Sequence, residues 1–318
     1  MGRYLLTRLL QFLPTLFIAS VIIFLVIQAS PGDPARIKLG PEATPDQVAI
    51  ERTRLGLDEP LPVRYVIWLA DAVRLDLGRS FQSNLPVTGV VLTAFGHTVR
   101  LALAASIIAL ALGISAGILA ALYRGRALDA IISTLSAILL SLPSFVSGIV
   151  LILIFAVTLR WLPPSGSGAT SQSFLESLRY LALPAVALGL PFAAVLTRFM
   201  RAAMIDAMSQ DHVLTARAKG LGPRIVVGRH AVRNALVPTI TIAGIGLGTL
   251  LAGAVVTETV FSYPGLGRLI VGSIFDRDYP IVQAGLLLAA VVLLGMSLAV
   301  DLVYGMLDPR IRTGTGAS

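Results

Sequence analysis

Residues 98–122 read TVRLALAASIIALALGISAGILAAL, with no charged residue after Arg100. A helix needs roughly 20 mostly apolar residues to cross the hydrocarbon core of a bilayer. This stretch meets that length with no break. Five others do the same: Leu9–Ala29, Ala130–Thr158, Leu178–Met200, Ala235–Val256 and Gln283–Met306. The remaining composition agrees. Of 318 residues 56% are hydrophobic and 13% charged, and the mean hydropathy is +0.85. A surface so poor in charge could not be solvated as an ordinary soluble domain, which carries about 25% charged residues. Cysteine is absent, which excludes disulfides, thiolate metal sites and a cysteine nucleophile. The expected fold is therefore an all-α integral membrane protein with six transmembrane helices.

The opening MGRYLLTRLLQF looks superficially like the basic start of a signal peptide. Its apolar run is too long for one and no small-residue cleavage site closes it, so residues 1–30 are expected to be a retained N-terminal transmembrane helix. Orientation follows the Lys/Arg balance of short loops. Segments on the side of the N-terminus carry thirteen cations and four acids, a net of +9. The opposite side carries twelve of each, and Asp301 inside the last span completes the formal +8. Both termini are thus expected in the cytoplasm, with 307–318 a cytoplasmic tail. The basic excess is a topology signal, and a nucleic-acid partner has no support.

Three polar segments stand outside the spans. The extracytoplasmic loop 31–97 contains Thr44-Pro45-Asp46-Gln47, an N-cap threonine with proline at the first helical position and a capping-box glutamine. Leu61 to Leu77 then carries Tyr65, Trp68, Leu69, Ala72 and Val73 at helical spacing. That pattern fits a helix on the membrane or against the bundle, and equally a small solvated cap. The cytoplasmic loop 198–235 predicts a short polar helix, Asp211 to Lys219, stopped by Gly220 and Gly222-Pro223. A basic amphipathic stretch then returns to the membrane. Composition alone fits both docking to a cytoplasmic partner and binding to anionic lipid. The outer loop 258–282, with Pro264-Gly265 as a turn, carries Leu269, Ile270, Ile274 and Phe275. These predict a helix dipping back toward the bundle.

Within the spans, Gly113–Gly117 and Gly244–Gly248 are G-x-x-x-G patterns that favour close helix approach. Glycines and Thr239, Thr241 and Thr249 leave span five thin and mildly polar, which suits either a pathway-lining helix or close static packing. Pro143, Pro184 and Pro191 can kink spans three and four. No Asp, Glu, Lys or His lies at mid-span, which disfavours a stand-alone ion-coupled carrier. His97, His212 and His230 share no metal-ligand spacing, and no phosphate-binding G-x-x-x-x-G-K-[ST] loop occurs. The chain is expected not to be an enzyme and to hold no cofactor.

Several stretches carry a resemblance that covers nearly the whole chain. They are MGRYLLTRLLQFLPTLF, Pro31-Gly32-Asp33-Pro34, LGLDEPLPVRYVIWL, DLGRSF at 76–81, Thr215-Ala216-Arg217-Ala218-Lys219-Gly220, RHAVRNA at 229–235, ETVFSYPGLGRL and Leu307-Asp308-Pro309-Arg310. In this order and spacing they resemble the first of the two permease subunits of ABC importers for dipeptides, oligopeptides and nickel. The resemblance implies a type I permease bundle in the cytoplasmic (inner) membrane and a coupling helix that docks on an ATPase subunit. On this chain the coupling residues would be Asp211, His212, Leu214, Thr215, Ala216, Arg217, Lys219, Gly220 and Leu221. The general motif begins with glutamate where this chain has Leu214, and Pro238 lies further from Gly220 than in that pattern. It further implies a second related permease, two ATPases that hold ATP and magnesium, and an extracytoplasmic binding protein. Transport would proceed by alternating access, with peptides as cargo and nickel chelates or glutathione as alternatives. Thr241, Gly244, Gly248, Thr249, Glu258, Phe261, Tyr263 and Phe275 are the expected residues of the path and outer gate.

Overall fold

The computed structural model describes residues 2–166 and 173–307, all helix, turn and loop apart from a single bridge between Arg79 and Pro86. Residues 308–318 of the expected tail lie outside that range. In chain order the helices are α1 (Gly2–Gln28), α2 (Pro34–Leu39), α3 (Pro45–Arg54), α4 (Leu61–Val73), α5 (Val87–Leu122), α6 (Ala127–Ser141) and α7 (Ser144–Leu151). A π-helical turn, π1 (Ile152–Thr158), follows; then α8 (Phe174–Ser209), α9 (Asp211–Ala218) and α10 (Pro223–Ile225). A second π turn, π2 (Val226–Val232), leads to α11 (Arg233–Val260), α12 (Leu266–Phe275) and α13 (Tyr279–Leu307).

Five stretches are long and apolar enough to cross a membrane, and α6 with α7–π1 makes a sixth if that pair is one span. The expected count of six is compatible with this. The third span is not one straight rod, however. It breaks at Leu142–Pro143, and its two halves are bent by 108°. Proline there lacks the N–H that an unbroken helix would use and forces the preceding residue out of helical geometry; Leu142 is extended, at φ −82° and ψ 129°. Pro184 and Pro191 act differently, since α8 runs through both.

The chain divides into two compact units. The described part of one comprises residues 2–97 and 264–307. Here the 30–97 segment is pinned by local signals legible in its residues. Asp33 caps α2 by accepting from the Ala35 amide at 3.0 Å, and Arg52 donates to its second oxygen at 2.8 Å. Both reciprocal bonds of the Thr44–Gln47 capping box are present. The helix expected from Leu61 packs against α1: the Tyr65 and Ser20 hydroxyls share a 2.8 Å hydrogen bond, and the Phe24 ring sits 5.4 Å from Tyr65 and 5.7 Å from Trp68. A buried cluster joins Val87 and Val91 to Leu266 and Ile270 of α12 and to Ile281 and Ala284 of α13. Asp278 is 2% exposed. It accepts from the Ser80 hydroxyl at 2.5 Å and the Phe81 amide at 3.0 Å, while the Gln82 amide group donates to the Asp276 carbonyl at 2.8 Å. The DLGRSF segment is thus tied to the loop before α13.

The second unit, residues 98–263, is organised around α8. Its main core joins Leu101, Ala105 and Ala109 of α5 to Leu188, Phe192 and Leu196 of α8 and Leu250 and Ala254 of α11. The helices approach closely where side chains are missing. A Cβ at Gly113 would lie 2.6 Å from the Leu196 Cβ and 2.8 Å from the Ala193 carbonyl oxygen, and one at Gly117 would meet Met200 and the Thr197 carbonyl at the same distances. The first G-x-x-x-G pattern is therefore a packing face. In the second, a Cβ at Gly244 meets nothing within 4 Å, and it is the intervening Gly246 that seats the Phe192 ring. Gly117→Ala is expected to destabilise the fold by about 1–3 kcal/mol through overpacking, whereas Gly244→Ala is expected to leave it unchanged; thermal unfolding of the purified protein in detergent compares them.

Candidate functional site

Two regions gather the candidate residues. The first is the loop between α8 and α11. Gln210, extended at φ −73° and ψ 147°, ends α8, and α9 begins at once. It stops through a Schellman arrangement, in which the Leu221 amide donates to the Ala216 carbonyl at 3.3 Å and Gly220 takes φ +77°, a left-handed geometry that glycine adopts without a Cβ penalty. Pro223 then opens α10 at its first helical position. Val213 and Ala216 bury one face of α9 against Val226. On the other side His212 and Asn234 share a hydrogen bond of 2.7 Å, which latches α9 to the first turn of α11. Asp211, Thr215, Lys219, Gly220 and Leu221 are exposed. The Thr215 hydroxyl is used locally, donating to the Asp211 carbonyl at 2.8 Å. The side chains of Leu214 and Arg217 lie outside the described residues. So α9 offers a short, exposed, polar edge with a small apolar underside that fixes its orientation.

Beneath this loop α8 is clamped to α6. Arg201 makes a two-pronged pair with Asp129, with Nε at 2.6 Å from one oxygen and an Nη at 2.7 Å from the other. Asp129, 6% exposed, also accepts from the Gly125 amide at 3.0 Å.

The second region lies at the C-terminal end of α11. Glu258 is completely buried and accepts a 2.6 Å hydrogen bond from the Thr98 hydroxyl at the start of the unit. Its carbonyl accepts from the Tyr263 amide at 2.8 Å. Phe261 is buried against Leu183 and Ala187 of α8, with Gly148 of α7 leaving its ring room at 3.2 Å from a notional Cβ. Tyr263 belongs to the main core. Glu258, Phe261 and Tyr263 are all buried around this helix end, Phe261 and Tyr263 in separate clusters. The others do not join them. Phe275, expected to face the bundle, is 82% exposed at the end of α12 in the other unit, because the buried stripe of that helix runs through Leu266 and Ile270 instead. Thr241 and Thr249 donate to the Val237 and Gly246 carbonyls of their own helix, at 3.1 and 2.7 Å. Span five is therefore less polar toward its surroundings than its composition implies. Gly248 is half-buried on the same helix.

Residues 113–313 match the family described as binding-protein-dependent transport system inner membrane component, and residues 1–102 match its N-terminal membrane-component family. The chain belongs to that family. Two curated relatives align over 312 residues: the glutathione transport system permease protein GsiC of Escherichia coli O6:H1, 41% identical over 98% of this chain and 99% of its own length, and the probable peptide ABC transporter permease protein y4tP of Sinorhizobium fredii, 40% identical over 98% and 100%. A solved structure titled as inward-facing conformations of the MetNI methionine ABC transporter shares the fold, with a TM-score of 0.56 at 18% identity over 70% of this chain and 98% of that one. The protein is a multi-pass inner-membrane permease subunit of an ABC importer, and it is a membrane component rather than an enzyme.

Two parts of this permease escape sequence reading. Asp129 and Arg201 are 72 positions apart and count only as opposite charges in the topology balance. Asn234 carries no signal in a single sequence. Asp129→Ala would strand a guanidinium that is about a third exposed, with an expected loss of about 1–3 kcal/mol; Asp129→Ala with Arg201→Met should recover much of it, measured by thermal unfolding in detergent.

Proposed function

We propose that this permease takes up short peptides, glutathione-like tripeptides included, delivered by an extracytoplasmic binding protein and driven by two ATPase subunits acting with it and a second, related permease. What supports the cargo is full-length similarity at 40–41% identity to permeases named for glutathione and for peptides. In this reading α9 is the coupling helix. Its exposed edge, Asp211 to Leu221, docks on an ATPase, and the His212–Asn234 latch with the Val213–Ala216–Val226 contact passes the motion into α11. Residues 31–97 and 258–282 face outward toward the binding protein, 198–235 is cytoplasmic, and the spans of 98–306 form the transport core. Glu258, Phe261 and Tyr263 form the outer end of the path. ATP and magnesium are held by the partners. Physically, alternating access needs a bistable bundle whose two states ATP and the loaded binding protein bias in opposite directions.

The experiment is uptake by the complete importer in proteoliposomes, with ATP inside and loaded binding protein outside. Labelled dipeptides and glutathione should accumulate, and a nickel chelate should not; accumulation of the chelate alone would overturn the cargo assignment. Gly220→Val forces a branched side chain into φ +77° and is expected to cut uptake and binding-protein-stimulated ATP hydrolysis at least about tenfold, equivalent to about 1.4 kcal/mol of coupling. Unchanged ATP-driven uptake would refute the coupling role of this loop.

A further inference from the structure

The unit containing α1 to α4 and α13 holds a cavity of about 530 Å³ that the transport reading does not use. Its wall includes Gln283 of α13, which is 9% exposed and whose Nε2 is buried without a hydrogen-bond partner. A buried amide left unpaired costs of the order of 1–3 kcal/mol, so a site that keeps one is short of an acceptor. Arg64 of α4 stands on the same wall. Its guanidinium donates to the Gln28 side chain at 2.7 Å, and among the described residues no carboxylate pairs with it. Burial, together with the nearby charge of Arg52, holds its pKa below the usual arginine value.

Most of the other lining charges have partners. Lys38 pairs with Glu51 at 2.6 Å, and Arg54 lies 3.7 Å from the same carboxylate. Arg79 donates to the Asn84 carbonyl at 2.8 Å, and Asp76 accepts from the Gly78 amide at 3.1 Å. Asp71 completes the set. With Glu51, which pairs two of them, four cations stand against three carboxylates around the cavity. The lining is also apolar and aromatic, through Phe24 and Ile27 of α1 and Ile67 and Trp68 of α4, the last two on the same helix as Arg64. The same two helices carry exposed apolar side chains beyond it, Ile22 and Val26 on α1 and Val66 on α4, and α1 is a membrane span with little of its surface covered. An anion attached to a hydrocarbon chain would pair with Arg64 and the Gln283 amide and cover the apolar side chains beside them.

We infer that the cavity seats one anionic phospholipid, its phosphate between Arg64 and the Gln283 amide and an acyl chain along Phe24, Ile27 and Ile67. Tryptophan at this level suits the headgroup boundary. The bound lipid would fasten the 30–97 segment to α1 and α13, independently of which cargo the importer carries.

Native mass spectrometry of the whole detergent-solubilised importer, titrated with phosphatidylglycerol or with phosphatidylcholine of the same chains, tests this. The wild type should retain phosphatidylglycerol about tenfold better, the size expected for charge-assisted hydrogen bonds. Arg64→Gln and Gln283→Leu should each remove most of that preference, lowering phosphatidylglycerol retention more than that of phosphatidylcholine, whose choline already offsets the same phosphate; Gln283→Leu breaks no side-chain hydrogen bond among the described residues. Arg74→Gln, outside the cavity, should change nothing. Equal retention of the two lipids, or indifference to both cavity variants, would overturn the assignment. So would displacement of the lipid by millimolar dipeptide, which would give the cavity to cargo, or by inorganic phosphate, which would remove the role of the acyl chain.

Discussion

Everything in the 98–263 unit depends on how closely α5 can approach α8. Apolar side chains gain nothing from leaving lipid for another apolar surface, so helices in a bilayer associate through dispersion, small-residue contact and a few hydrogen bonds. At Gly113, Gly117 and Gly189 the partner helix backbone occupies the space a side chain would need. That contact makes α8 the most buried of the spans and lets it collect α6, α7 and α11 around it. The helices at the periphery keep their apolar faces outward, as lipid or a second permease requires.

Buried acids mark the joints of the bundle, while the buried polar groups inside spans are hydroxyls such as Ser106 and Thr197. Asp129 with Arg201, Glu258 with Thr98, and Asp278 with Ser80 each join segments distant in sequence. Each acid sits near a helix end, where its other oxygens or neighbouring amides can still be satisfied. An acid placed mid-span would have to be paid for by a partner from another helix, and the sequence places none there. This distribution fits a machine whose energy comes from outside the membrane rather than from an ion moving through it.

Much of this was legible in residues. Length and apolarity identified the spans, the Thr44–Gln47 box identified α3, and Gly220 with Gly222-Pro223 bounded α9 to within a residue. What escaped did so for identifiable reasons. Pro143 signalled a kink, but a 108° bend depends on what α7 packs against, chiefly α8 and the Phe261 ring seated over Gly148. The Gly244–Gly248 pattern matched a packing motif, yet helix rotation turned Gly246 inward instead. Phe275 continued an apolar stripe in sequence, but the buried stripe of α12 runs through Leu266, Ile270 and Ser273, and Phe275 is off that face. Among the candidate functional residues, those set by local backbone chemistry were readable; those set by a partner many positions away, such as Asn234 for His212, were not.

The length of α8 has a mechanical consequence. Thirty-six residues of continuous helix span about 54 Å at 1.5 Å per residue, whereas the hydrocarbon core is about 30 Å thick. The helix therefore extends well past the membrane, with α9 attached directly at its end by one non-helical residue, Gln210. A rod of that length turning about its middle by about 10° carries its tip sideways by about 5 Å, roughly the height of one helical turn. Small rotations at the glycine contacts and large displacements at the cytoplasmic tip are then the same movement seen at two radii.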